Sequence, residues 1–174
     1  LEIEVQKVEG ALSWDFERVG FELRPPPLSV ITWEDPTWSP RMIRAQNLAA
    51  EVGLILDPPR LLPWSRKAHE LYLWATDNEM CAETRSAIFK AYFVQGVDIG
   101  RIDELVTIAG SLGLDPTETK AILDVDRFGD AVVLARAEAE SKQITELPTI
   151  VGPGDQHLQG FHNQTDLSTL LGSP

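Results

Sequence analysis

Apolar and polar positions divide the chain into three stretches with different periods. In "WDFERVGFELRP" (residues 14–25) they alternate, with Trp14 and Phe16 in one phase and Val19, Phe21 and Leu23 in the other. That pattern predicts a strand with a bulge beside Gly20, where the phase slips. The next segment, "RPPPLSVITWEDPTWSP" (24–40), holds too many prolines for regular structure and predicts an ordered loop. From about Pro40 to Gln143 the apolar spacing becomes three and four, the period of helices that bury one face. "RMIRAQNLAAEVGL" contains a glycine suited to a C-terminal cap, and "SRKAHELYLWATD" can open on Ser65 as N-cap. Ile88, Phe89, Tyr92 and Phe93 form one stripe; Ile102, Leu105, Val106, Ala109 and Leu112 form another, closed by Gly113. In "DPTE" Asp115 can cap, Pro116 takes the first helical position and Glu118 can complete a capping box. Phe128, Ala131, Val132 and Ala135 share a face of the last helix before Gln143.

Beyond Gln143 the elements shorten. "PTIV", a "GPGD" turn, "QHLQGF" and the capped segment "NQTDLSTLL" predict strand, turn, strand and helix. Two strands alone are marginal in water, so the early strand is expected beside this hairpin in one sheet. The helical block then interrupts a sheet domain. Residues 1–35 and 144–174 are expected to form a discontinuous α/β domain, with 36–143 as a helical insertion.

Composition narrows the function classes. Twenty-seven acidic against fifteen basic side chains give a net charge of −12, which repels phosphate backbones and argues against nucleic acid and anionic lipid as partners. No apolar run approaches the roughly 20 residues that span a bilayer, so no membrane partner is expected. Cys81 is the single cysteine; no intrachain disulfide can form, and a reducing, cytoplasmic setting is the simpler expectation.

The ordered set "FELRP", "RKAHELYLWA", "IFKAYFVQGVDI", "GLDPTETKAIL", "ELPTIV" and "LQGFHNQTDLSTLL" resembles the DsbA-like branch of the thioredoxin fold. Within that branch it is most similar to cytoplasmic dithiol–disulfide isomerases of the FrnE type and to 2-hydroxychromene-2-carboxylate isomerases. The resemblance implies an α/β fold, thioredoxin-like with a large helical insertion. It implies a cis-proline at the mouth of the strand facing the active site, the place Pro148 occupies after Leu147. A cis bond there would turn the N–H and C=O of Leu147 outward, where an extended substrate could pair with them as an added strand. Leu147, Pro148 and Thr149 are thus the candidate substrate-binding residues. Trp64 and Ser65 border the cleft by the same resemblance, with a packing role as the alternative.

The family's Cys-x-x-Cys or serine-bearing turn has no counterpart in these residues. "LEIEVQKVEGALS" reads as the end of the helix that follows such a turn, so the catalytic group is expected upstream of Leu1, and no catalytic residue is assigned within the chain. The resemblance implies either thiol–disulfide chemistry on protein thiols or isomerisation of a small aromatic or glutathione-linked substrate, with glutathione as co-substrate and no resident cofactor. The alternative is a thioredoxin-like binding or dimerisation module that keeps the groove without the chemistry. The tryptophan-rich loop Trp33–Trp38 suits a homodimer contact or packing on its own domain.

Other constellations are weaker. "DVDRFGD" (124–130) has Phe128 where a calcium loop needs an oxygen and Ala135 where it needs a glutamate, so it reads as a helix boundary. His157, His162 and Cys81 match no zinc spacing, and no metal site is expected. Cys81 reads as a half-buried helix-end residue and His69 as a packing or capping one. No Gly-x-Ser-x-Gly elbow or phosphate loop occurs.

Overall fold

A computed structural model describes residues 16–171, which fall into two compact units: one holds Phe21–Leu134, the other the segments on either side of it. The expected helix end at residues 1–13 and Trp14 lie outside the described residues.

The Phe21–Leu134 unit is helical, with one short ribbon. Strands β1 (Ile31–Thr32) and β2 (Leu61–Leu62) pair antiparallel, Ile31 opposite Leu62 and Thr32 opposite Leu61. This ribbon has β1 inside the proline-rich loop and β2 between the first two helices, where periodicity gave no strand. It is pinned by two indole donors: Trp33 Nε1 donates to Pro59 O at 2.8 Å and Trp64 Nε1 to Leu28 O at 2.7 Å. The Pro26–Pro27 bond is cis.

Helices α1 (Ser39–Glu51), α2 (Arg66–Asp77), α3 (Cys81–Phe93), α4 (Ile102–Ser111) and α5 (Pro116–Asp124) follow, and α6 (Gly129–Ser141) begins in this unit. The expected caps form at several ends. Gly53 (φ +76°) ends α1, with Leu54 N–H bonded back to Ala49 O; Gly113 (φ +90°) ends α4, with Leu114 N–H bonded to Ala109 O. Both are Schellman closures, which need a left-handed residue and so favour glycine. Asp115 Oδ1 accepts from Glu118 N–H at 2.8 Å, with Pro116 in the first turn.

The core of this unit is the meeting of four helical faces. Ala68, Leu71, Trp74 and Ala75 of α2 pack with Ile88 and Tyr92 of α3, Leu105 and Ala109 of α4, and Ile122 and Leu123 of α5. Leu71, Leu105 and Leu123 are wholly buried, each contributing on the order of 1.5–3 kcal/mol relative to exposure. Phe89, expected in the α3 stripe, is 49% exposed because the neighbours at i−1 and i+3, Ile88 and Tyr92, already fill the inward side; it meets Phe93 edge-on instead. Ala131 is likewise exposed, and Val132 carries the burial of α6.

An ion cluster around the buried Glu70 ties α2 to the α5–α6 turn. Glu70 is fully buried; its Oε1 lies 2.9 Å from Lys67 Nζ and its Oε2 accepts from Phe128 N–H at 3.2 Å. Lys67 also pairs with Asp126 and donates to Leu123 O. The "DVDRFGD" segment is the boundary between these two helices, as its sequence indicates.

In the second unit β3 (Thr149–Val151) and β4 (His157–Gln159) form an antiparallel hairpin in the register Thr149–Gln159, Ile150–Leu158, Val151–His157. The turn is a single 3₁₀ turn over Pro153–Asp155, and Gly152 N–H donates to Gln156 O at 2.7 Å. Helix α7 (Gln164–Leu171) follows. Asn163 caps it, Oδ1 accepting from the N–H groups of Thr165 and Asp166 at 2.9 and 3.1 Å, while Asp166 Oδ2 accepts in return from Asn163 N–H. Ile150, Leu167 and Leu171 form a small core joined by Phe16, Leu158 and Leu170.

The strand expected over residues 14–24 is not there. Among the described residues no strand occurs from Phe16 to Arg24, and the hairpin has no third strand. The alternation misleads because a polar residue holds the inward position: Glu22 is fully buried and paired with Arg66 at 2.7 Å, while Val19 and Leu23 are 66% and 37% exposed.

Candidate functional site

The hairpin presents its open end at Leu147–Pro148, and that peptide bond is cis, as the resemblance implied. The polar groups around it are nearly all engaged. Gln159 on β4 turns its side chain back onto the approach segment: Oε1 accepts from Thr145 N–H (2.8 Å), Thr145 Oγ1 (3.1 Å) and Glu146 N–H (2.9 Å), and Nε2 donates to Gln143 O (3.3 Å). Thr149 Oγ1 donates to Glu146 O at 2.5 Å, and Gly160 N–H donates to Pro148 O at 2.7 Å.

Between these bonded neighbours stands Leu147. Among the described residues neither its N–H nor its C=O takes a hydrogen-bond partner, and its side chain is 40% exposed. An unpaired donor and acceptor on one residue, at the exposed mouth of a hairpin between bonded neighbours, is the backbone arrangement that accepts an added strand. Gly160 keeps the mouth tight: a Cβ there would sit 3.2 Å from Glu146 Oε1.

Sequence reasoning named Leu147, Pro148 and Thr149, and the three are contiguous on this edge. It missed Gln159, whose only signal was a glutamine on the short strand opposite a proline-headed one. His162, on the far side of β4, donates from Nε2 to Gln159 O at 3.0 Å and faces Asp166 Oδ2 at 3.3 Å, which places it in the support of β4 and α7.

Trp64 and Ser65 belong to the Phe21–Leu134 unit. Trp64 is 42% exposed with its indole N–H engaged by Leu28 O. Ser65 stands at the N-cap position of α2 but does not cap; its Oγ lies 3.2 Å from His69 Nε2. Burial pushes the His69 imidazole below its ordinary pKa, against the opposing pull of the Glu22 carboxylate and a hydrogen bond with the Phe21 backbone. Gly100 backs this corner, where a Cβ would come within 3.1 Å of Pro63 Cβ and Trp64 O. Tyr92 Oη donates to Leu61 O at 3.4 Å, and burial, with the nearby Asp98 charge, pushes its phenol up to about 12. Cys81 is a free, half-buried thiol in the first turn of α3.

Comparison with known proteins places this geometry. The family model for a DsbA-like thioredoxin domain matches residues 38–172, and the chain belongs to that family. Its fold is the thioredoxin fold with a helical insertion. The chain is 28% identical over 145 residues to the Bacillus subtilis (strain 168) protein YwbO, covering 79% of this chain and 71% of that one. Among solved structures it superposes on a probable DsbA oxidoreductase from Streptomyces coelicolor with a TM-score of 0.81 at 17% identity, covering 97% of this chain and 82% of the other. A candidate protein disulfide isomerase from Nitrosomonas europaea superposes with a TM-score of 0.61 at 14% identity, covering 78% and 72%. Among the described residues no helix is long and apolar enough to cross a membrane.

Proposed function

We propose that this protein is a thiol–disulfide oxidoreductase or isomerase of the DsbA type, acting on protein thiols and disulfides held as an extended strand along Leu147–Thr149. The observation that carries the reading is the unpaired N–H and C=O of Leu147 between bonded neighbours at the mouth of the hairpin. Family membership and the oxidoreductase and isomerase names of the two structural neighbours support it.

In this reading a low-pKa thiolate attacks one sulfur of the substrate disulfide. The S–S bond breaks, the second sulfur leaves as a thiolate, and a mixed disulfide remains. The edge at Leu147 holds the substrate backbone beside that bond. Glutathione belongs to the alternative reading, isomerisation of a small aromatic substrate in the same cleft, and no resident cofactor takes part in either. Cys81, the single thiol of these 174 residues, is a packing residue in this reading and does not supply the nucleophile.

Reduction of insulin disulfides tests the assignment on the native polypeptide, with Cys81→Ser compared to wild type. Equal activity of the two supports the reading. Loss of activity in Cys81→Ser would move the chemistry to α3, and an inactive native polypeptide would leave the groove as that of a binding module.

A further inference from the structure

Ser65 and His69 stand one turn apart at the start of α2, with Ser65 Oγ 3.2 Å from His69 Nε2. Burial is the strongest influence on the imidazole and favours its neutral form, the form a base needs. The hydrogen bond with the Phe21 backbone pulls the other way, as an N–H donated to a carbonyl does. The ring proton therefore sits on the nitrogen turned to Phe21, and Nε2 offers its lone pair to the Ser65 hydroxyl. Glu22, fully buried and held by Arg66 at 2.7 Å, supplies a negative charge that favours the imidazolium once a proton arrives. Ser65 occupies the N-cap position without capping, so its hydroxyl is not spent on the backbone and the first amides of α2 lack the acceptor such a residue ordinarily gives them. Hydroxyl, base and a group that orients the base thus follow one another in hydrogen-bonded order, half-buried beside the exposed indole of Trp64.

We propose that Ser65 is a nucleophile activated by His69, forming an acyl-transfer site in the Phe21–Leu134 unit that takes small carboxylic esters with a good leaving group. Ser65 Oγ bonds to the ester carbonyl carbon while its proton passes to His69 Nε2. The bond from that carbon to the alcohol oxygen breaks, and the alcohol leaves with the proton from His69. Water then attacks the acyl-serine, giving its proton to His69; the carbon–Oγ bond breaks, the carboxylic acid departs and Ser65 recovers its hydroxyl. The uncapped amides of α2 supply donors for the oxyanion that develops in both steps. The site shares no residue with the Leu147–Thr149 edge and needs no thiol.

An ethoxy fluorophosphonate is the probe, reacted with the whole chain and followed by intact mass and peptide mapping. Its phosphorus takes the Ser65 oxygen, fluoride leaves and the hydroxyl proton passes to His69. A single adduct on Ser65 is expected, with turnover of p-nitrophenyl acetate above the background of Ser65→Ala. His69→Gln should slow the labelling by about a hundredfold, the contribution of one general base. His69→Phe fills the same place without a base and repeats the test if His69→Gln fails to fold, with thermal unfolding showing which variants are intact. A wild-type chain that takes no adduct, or takes it at another residue, would overturn the proposal whatever the variants do. Labelling of Ser65 at the wild-type rate in a folded His69 variant would overturn it as well.

Discussion

The side-chain carbonyl of Gln159 accepts hydrogen bonds from the backbone of Glu146, at 2.9 Å, and of Thr145, at 2.8 Å, so a residue on β4 fixes the chain that enters the Leu147–Pro148 bond. One amide group thereby satisfies donors that would otherwise compete with Leu147 for a ligand. Replacing it should loosen this approach without dissolving the hairpin, whose ladder is independent of it. Gln159→Leu is expected to lower stability by about 1–2 kcal/mol, the modest sum of its four exposed hydrogen bonds, and to speed amide exchange at Thr145 and Glu146 above all. Gln159→Glu keeps the acceptor and should recover most of the protection. Exchange rates unchanged at those two amides in Gln159→Leu would contradict this role.

His69 sets a pH dependence whose sign is fixed by burial. Its folded-state pKa is depressed, so the unfolded chain binds the proton more readily than the folded one. Stability therefore falls as pH drops through about 6.5, the unfolded value, and the fall ends once pH is below the folded value. Urea unfolding between pH 7.5 and 5 should show wild type losing stability more steeply than His69→Gln. Parallel slopes would mean that His69 titrates alike in both states.

Three helices end on a left-handed residue that is not glycine. Asp126 (φ +52°) closes α5, with Arg127 N–H bonded to Ile122 O. Glu79 (φ +58°) closes α2, with Met80 N–H bonded to Ala75 O, and Gln143 (φ +58°) closes α6, with Ile144 N–H bonded to Ala139 O. These are the same Schellman closures that Gly53 and Gly113 make, held at the steric cost of a side chain. Gln143→Gly and Glu79→Gly should each raise stability by roughly 0.5–1 kcal/mol, the relief exceeding the added chain entropy of glycine. Thermal unfolding of each variant checks this, and a drop in midpoint would contradict the closure.

How far the fold could be read ahead follows from which forces leave a periodic trace. The helix faces of Ile88 with Tyr92 and of Leu105 with Ala109, the Asp115 cap and the capped start of α7 were legible because spacing and cap chemistry are local. So was the hairpin, whose turn residues and proline-headed strand mark it. The strand expected over 14–24 was not, because Glu22 occupies a buried position that only its distant partner Arg66 makes tolerable. The ribbon of Ile31 with Leu62 escaped notice for a similar reason: two-residue strands have no period, and indole bonds to Pro59 and Leu28 hold them. At the site, Pro148 stood out as a proline heading a short strand and the role of Leu147 came from the family resemblance, whereas Gln159 escaped both, since its role exists only once the hairpin register is known.

Gly100 is a packing constraint on the Trp64 corner. Its missing Cβ would meet Pro63 Cβ, Trp64 O and Asp98 Oδ1, each at 3.1 Å, and two of those atoms belong to a rigid ring and the backbone. Gly100→Ala is expected to destabilise the helical unit by about 1–3 kcal/mol through overpacking and to shift the Trp64 fluorescence. A neutral variant with unaltered emission would show that the corner yields easily.

In the proposed function Leu147 is the backbone handle for an extended substrate. Its most direct test is the Leu147 amide resonance in nitrogen-15-labelled protein titrated with a blocked, extended hexapeptide. A saturable downfield shift with slowed exchange at Leu147, and little change at the already bonded Glu146, is the predicted result. A Leu147 amide that neither shifts nor gains protection, while the peptide binds elsewhere, would contradict it.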